Sequence, residues 1–185
     1  MTSGHVFIAA SLDGFIARRD DSIDWLTKQK TEGEDHGFDE FMDSVDGLVL
    51  GRASFQKVLT FGEWPYRKPV VALSKTLTEA GIPENLRGCV RISGDEPRVI
   101  MSRLASEGWK RAYVDGGKVV QSFLADGLIE DITLTRIPIL LGAGKPLFGP
   151  LEHDIDLEHI ETRTFESGLV TTKYRVTGFR PFRAA

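Results

Sequence analysis

The chain predicts an α/β fold, in which a mixed, mainly parallel sheet lies between helices and ends in an antiparallel hairpin. Three observations predict it. Short apolar runs recur, each followed by a stretch with helical spacing, which is the sign of strand–helix repeats in a parallel sheet. The runs are apolar throughout rather than alternating, as strands buried on both faces must be. After Ile129 the helical spacing stops, and two alternating segments, Leu157 to Phe165 and Leu169 to Val176, flank Glu166-Ser167-Gly168 as a hairpin.

Each element follows in order. The first buried strand is the apolar run His5 to Ala10, which leads into Ser11-Leu12-Asp13-Gly14. Asp-Gly marks a turn, and Phe15 and Ile16 then place apolar surface in a loop that covers the core or lines a pocket. The small pair Ala9-Ala10 leaves room for a flat ligand. A polar stretch containing Glu32, Glu34, Asp35 and His36 leads into Phe38, Phe41, Met42 and Val45, whose spacing of three or four residues predicts a helix. Asp39 and Asp43 lie beside that stripe. Gly47 to Leu50 is a second strand, turned by Gly51-Arg52-Ala53-Ser54 into a helix bearing Phe55, Val58 and Leu59. Pro69 to Leu73 is a third strand, closing on Ser74-Lys75-Thr76, and a fourth ends at Arg91-Ile92-Ser93. A helix over Val99 to Leu104 precedes the fifth strand, which ends at Val114-Asp115. Gly116-Gly117-Lys118 then opens a helix carrying Val119, Val120, Phe123 and Leu124. Ile129 to Leu141 reads as largely β, and Leu141 to Phe148 as a glycine-rich loop.

Two strand–glycine–helix junctions carry the chemistry. Paired glycines let the backbone approach a ligand closely, and the free N–H groups of a helix start favour an anion, most often phosphate. Arg52 stands at the other junction, where a guanidinium can grip a phosphate through two hydrogen bonds. Hydroxyls and a lysine at Ser74-Lys75-Thr76 suit the same ligand class, or a plain polar turn.

Composition narrows the field further. The chain has 185 residues and a formal net charge of -4. That length suits one domain, 1–185, and the charge argues against general nucleic-acid affinity. A lone cysteine, Cys89, excludes an internal disulfide and reads as a small core residue in a strand. The four histidines have no metal-ligand spacing. Neither a signal-peptide pattern nor an apolar run of membrane-spanning length is present, so the expected setting is the cytoplasm.

In order and spacing, these stretches resemble the dihydrofolate reductase-like fold, and most closely its RibD C-terminal reductase-domain branch of riboflavin biosynthesis. The matching residues are Ala9 to Ala17, Asp24-Trp25-Leu26, Leu50 to Phe55, Leu73-Ser74-Lys75, Val114 to Gly117, Leu134-Thr135-Arg136 and Pro138 to Phe148. The resemblance implies a three-layer α/β/α arrangement and NADPH as cofactor. Ala9, Ile16 and Ala17 would hold the nicotinamide. Gly51, Arg52, Ala53 and Ser54 would take the phosphates, Ser74 and Lys75 the adenosine 2′-phosphate, whose charge Arg52 would also answer, and Gly116-Gly117, with Lys118 beside them, the pyrophosphate and nicotinamide side. The family commonly has a cis peptide at the glycine pair. Trp25 and Phe15 would close over the nicotinamide as a lid, or pack as ordinary loop residues. A homodimer is expected by the same resemblance, with Ile132 to Leu141 as a candidate surface.

For the substrate, departures from the folate reductases matter more than matches. Their pterin-binding acid has two counterparts here, Asp35 and Asp39, and neither is singled out. Asp115 stands where they have an apolar residue and where the riboflavin branch has an acid, which favours a polar substrate over folate. Thr135 faces the same pocket by analogy and would orient an acid or a water. The zinc deaminase domain usually fused to the riboflavin enzyme has no ligand set in this chain. The implied reaction is hydride transfer to a C=N or C=O group of a small pterin-like or ribosylaminopyrimidine-like molecule. Asp115, Asp39 or water would supply the proton. The competing reading is a nucleotide-binding protein of the same fold without turnover.

Overall fold

The structure, a computed structural model, describes residues 1–181. Its strands are β1 (Ser3–Ser11), β2 (Phe15–Ala17), β3 (Gly47–Gly51), β4 (Val70–Leu73), β5 (Val90–Ser93), β6 (Arg111–Asp115), β7 (Ile129–Ile137), β8 (Lys145–Pro146), β9 (His153–Thr164) and β10 (Val170–Pro181). The helices are α1 (Asp24–Thr27), α2 (Phe38–Ser44), α3 (Arg52–Val58), α4 (Pro97–Ser106) and α5 (Gly117–Ala125). Eight strands form one sheet in the order β5-β4-β3-β6-β1-β7-β10-β9, and β2 pairs with β8 apart from it. All pairings from β5 to β7 are parallel, whereas β10 runs antiparallel to both β7 and β9. The fold is therefore the mixed three-layer α/β/α arrangement that the strand–helix repeats predict.

The unbroken apolar runs are explained by burial on both faces. Val49 points to the side covered by α4 and α5, where it meets Ile100, Met101, Leu104, Val120 and Phe123. Its neighbours Leu48 and Leu50 point to the opposite side and pack with Phe55 of α3 and with Tyr113. Burying each such side chain contributes on the order of 1.5–3 kcal/mol. The residues of α5 that recur at helical spacing, Val119, Val120, Phe123 and Leu124, are all buried.

Two expectations, the extent of β7 and the setting of Cys89, need correction. The apolar stripe of α2 exists, but no residue of the helix is fully buried, and Phe38 keeps 39% of its surface exposed. This seven-residue helix rests on Phe7 through Phe38 and Phe41, with ring centroids 5.6 and 5.0 Å apart, and leaves the rest of the sheet face open. β7 stops at Ile137, before Pro138, which has no N–H to continue the ladder. Ile132 and Ile137 are spent in the core, whereas Arg136, Pro138 and Leu140 of the same stretch are exposed. Cys89 lies just before β5 rather than within it, half-buried, with its thiol donating to the Leu86 carbonyl at 3.4 Å. No described helix is long and apolar enough to cross a membrane.

Candidate active site at the carboxyl ends of the central strands

β3 and β6 end side by side, with Leu50 opposite Asp115. From there the chain departs in opposite directions. α3 packs on one face and leads outward to β4, while α5 packs on the other and leads back past β1 to β7. A crevice opens where connections diverge in this way, and it is where ligands bind in open α/β sheets.

The glycine pair lines that crevice. Gly116 has φ +101, a backbone state that side chains disfavour, and a Cβ there would sit 2.7 Å from the Ser54 hydroxyl. A Cβ on Gly117 would sit 2.7 Å from the Pro146 carbonyl and 3.1 Å from Ile16. The two glycines thus allow α3 on one side, and the β2–β8 flap on the other, to close onto the start of α5. No cis peptide occurs among the described residues, so Gly116-Gly117 is trans, and the positive φ of Gly116 makes the turn. The flap is fastened at its base by Asp13, whose carboxylate accepts from Ser11 and from the N–H groups of Leu141 and Gly142. These bonds hold its pKa below the usual carboxylate range, the Ser11 hydroxyl foremost.

Asp115 is half-buried at the head of the crevice. Burial pushes its pKa up, against the opposing pull of the Ser54 hydroxyl, the Gly116 N–H and the Tyr113 hydroxyl. Tyr113 also donates to the Phe7 carbonyl at 2.8 Å, and lies 3.5 Å from Asp115. Its own pKa is raised by burial and then by the Asp115 charge, and the same two causes raise that of Tyr66. Tyr66 comes from the loop before β4. Nothing in its local sequence marks it, because only the fold brings it to Asp115.

The other predicted residues separate into groups. Arg52 is exposed and donates to Thr76 at 3.1 Å, while Ser74 accepts the N–H groups of Thr76 and Leu77 and so shapes the turn. Arg52, Ser74 and Thr76 therefore share one patch. Lys75 belongs beside them in sequence, but its ammonium is 2.6 Å from Glu96, so its charge is already answered. Ser54 faces Asp115 rather than open space, and Ala53 and Lys118 are exposed at the two helix starts. Ala9 stands opposite Thr135, whose buried hydroxyl shares a 2.7 Å hydrogen bond with Thr171. Ile16 packs on the core beside Gly117, and Ala17 is buried in the flap. Asp39 is exposed on α2 and makes no hydrogen bond or ion pair among the described residues. Trp25 does not form a lid: it is fully buried against Ile137 and Leu169. Phe15 belongs to the flap and lies over Gly144.

At the other end of the sheet His5, Glu130 and Asp131 converge, although the sequence spacing gives no metal signature. Both ring nitrogens of His5 are engaged, at 2.8 Å from Ser3 and 2.8 Å from Asp131, which makes this a buried structural pair.

Comparison with known proteins agrees with this geometry. The chain is 34% identical over 164 residues to the uncharacterized protein YwjB of Bacillus subtilis (strain 168), a match covering 86% of this chain and 90% of that one. It is 27% identical over 179 residues to the uncharacterized protein YyaP of the same organism, covering 92% and 93%. A crystal structure of a candidate riboflavin biosynthesis protein from Shewanella sp. PV-4 superposes with a TM-score of 0.89 at 38% identity, covering 96% of this chain and all of that one (100%). The diaminohydroxyphosphoribosylaminopyrimidine deaminase/5-amino-6-(5-phosphoribosylamino)uracil reductase of Thermotoga maritima shares the fold, with a TM-score of 0.68 at 14% identity over 95% of this chain and 57% of that one. Residues 3–171 match the RibD C-terminal domain family, and the chain belongs to it.

Proposed function

We propose that this protein is an NADPH-dependent reductase acting on a C=N or C=O group of a small pterin-like or ribosylaminopyrimidine-like substrate. What supports the reading most is one crevice that joins a carboxyl group with a raised pKa, Asp115, to an exposed arginine–hydroxyl patch, Arg52 with Ser74 and Thr76. The residues present fit a dinucleotide. Gly116 and Gly117 leave no side chain between the ligand and the start of α5, and Arg52 offers the bidentate donor that a phosphate needs. Ala9 supplies a small surface for a flat ring. NADPH, when bound, supplies the hydride.

The chain's own residues supply the rest. Asp115 holds a proton at a pH where an ordinary aspartate would not, because burial disfavours its charged form. Tyr113 and Ser54 keep that carboxyl oriented, which is what a general acid requires. Asp39, exposed and unpaired, is a weaker candidate for the role. Lys75 joins the cofactor patch only if Glu96 releases it.

The test is turnover against pH. Oxidation of NADPH by a ribosylaminopyrimidine or by dihydrofolate is expected to fall as pH rises through the raised Asp115 pKa. In Asp115→Asn that limb disappears and kcat drops by about 10²–10⁴. Tight NADPH binding without turnover on either substrate would instead identify a binding protein.

A further inference from the structure

The arginine–hydroxyl patch beside the crevice carries one acid whose side chain neither the fold nor the proposed reaction uses. β4 and β5 end together, with Leu73 opposite Ser93, and the Ser74 N–H donates to the Ser93 carbonyl at 2.8 Å. The turn after β5 is therefore laid against the turn after β4. It is also fastened from within. Asp95 accepts from the Ser93 hydroxyl at 2.8 Å and lies 2.8 Å from the Arg103 guanidinium of α4. The next residue, Glu96, is the N-cap of α4.

An N-cap side chain ordinarily bonds the first free N–H groups of its helix. Glu96 makes no such bond; only its carbonyl serves the helix, accepting from Val99 and Ile100 at 3.0 Å. Its carboxylate turns instead to Lys75, 2.6 Å from the ammonium. That hydrogen bond, with the Glu96 charge behind it, holds the Lys75 pKa above the usual lysine range. The two side chains keep 74% and 67% of their surface exposed, so the pair is screened by water and opens easily. Its position matters more than its strength. Arg52, 3.1 Å from Thr76, and the Ser74 hydroxyl share this turn. A ligand phosphate held there would meet two cations and one carboxylate. The carboxylate repels a phosphate and competes with it for Lys75. The same carboxylate accepts a hydrogen bond from a free ribose 2′-hydroxyl.

We infer that Glu96 sets how strictly this protein distinguishes NADPH from NADH: it holds Lys75 away from the 2′-phosphate and so limits a preference that Arg52 creates. The inference rests on the dinucleotide reading of the crevice. An acid at a helix N-terminus is also favoured by the helix dipole, but that role bears on the stability of α4 and leaves the ratio of the two affinities alone.

The experiment is a fluorescence titration of the full chain with NADPH and with NADH, at low and at high ionic strength. Glu96→Gln, Glu96→Asp, Lys75→Gln and the double variant Lys75→Gln/Glu96→Gln are compared with wild type. Glu107→Gln is the control for net charge, because Glu107 is likewise paired to an arginine, Arg91, at 2.6 Å but stands at the far end of α4. Glu96→Gln is expected to raise the ratio of NADPH to NADH affinity about three- to fivefold, the upper end of what an exposed charge pair contributes. Most of that gain disappears at high salt, and it shrinks in the Lys75→Gln background. Glu96→Asp and Glu107→Gln stay near the wild-type ratio. An unchanged ratio in Glu96→Gln, or a gain that Lys75→Gln leaves intact, with NADPH still bound, overturns this inference alone. An equal rise in Glu107→Gln does the same, since net charge would then account for it. Binding of neither cofactor by wild type or Glu96→Gln overturns the dinucleotide reading, and this inference falls with it.

Discussion

Replacing Gly116 by alanine perturbs the crevice at its narrowest point. The backbone there has φ +101, and holding a non-glycine residue in so sparse a region costs about 1–3 kcal/mol. The new Cβ would also stand 2.7 Å from the Ser54 hydroxyl, closer than van der Waals contact allows. Turning Ser54 away relieves the clash but gives up its bond to Asp115, a loss of about 0.5–1.5 kcal/mol. The sum is about 1.5–4.5 kcal/mol, to be read as a shift in the urea midpoint at unchanged m-value. Ser54→Ala separates the two parts. With the hydroxyl gone, Gly116→Ala retains its backbone strain and loses its clash, so the double-mutant cycle shows a coupling of about 1 kcal/mol. A Gly116→Ala protein within about 0.5 kcal/mol of wild type would refute the backbone argument. Strict additivity with Ser54→Ala would refute the clash.

Other consequences are measured more simply. The folded-state pKa of Asp115 lies above its unfolded value, so the native protein holds more protons across that interval and wild-type stability falls as pH rises through it. Asp115→Asn should therefore be the more stable protein above the raised pKa. The advantage is about 1.4 kcal/mol for each pH unit separating the folded and unfolded pKa values, and it fades below about pH 4. Denaturant titrations at several pH values check the sign. Trp25→Ala should cost about 3–5 kcal/mol because the ring is fully buried against Ile137 and Leu169. Trp25→Phe should cost much less, since it also removes an indole N–H with no hydrogen-bond partner. Loss of cofactor affinity without loss of stability in Trp25→Ala would restore Trp25 to a lid.

Much of this architecture is legible along the chain because it is local. Runs such as Leu48-Val49-Leu50 are apolar throughout because alternate side chains meet different helix layers. The Gly116-Gly117 turn is visible as a strand–glycine–helix junction because its backbone demand falls on two adjacent residues. What is not legible depends on neighbours distant in sequence. Tyr66 reaches Asp115 only through the path of the loop before β4, and the Arg52–Thr76 contact spans two strands. Lys75 looks like a phosphate ligand until the turn brings Glu96 beside it. Trp25 sits in a polar stretch that suggests a mobile loop, yet Ile137 at the end of β7 and Leu169 in the β9–β10 turn enclose it.

The central claim is that the crevice between β3 and β6 holds NADPH. A fluorescence titration with NADPH, with NADH as comparator, tests it directly. The expected result is saturable NADPH binding at micromolar concentration, at least tenfold tighter than NADH, with that preference largely lost in Arg52→Gln, a difference of about 1.4 kcal/mol per tenfold. No binding at millimolar NADPH, or equal affinity for both cofactors in wild type and Arg52→Gln, would contradict it.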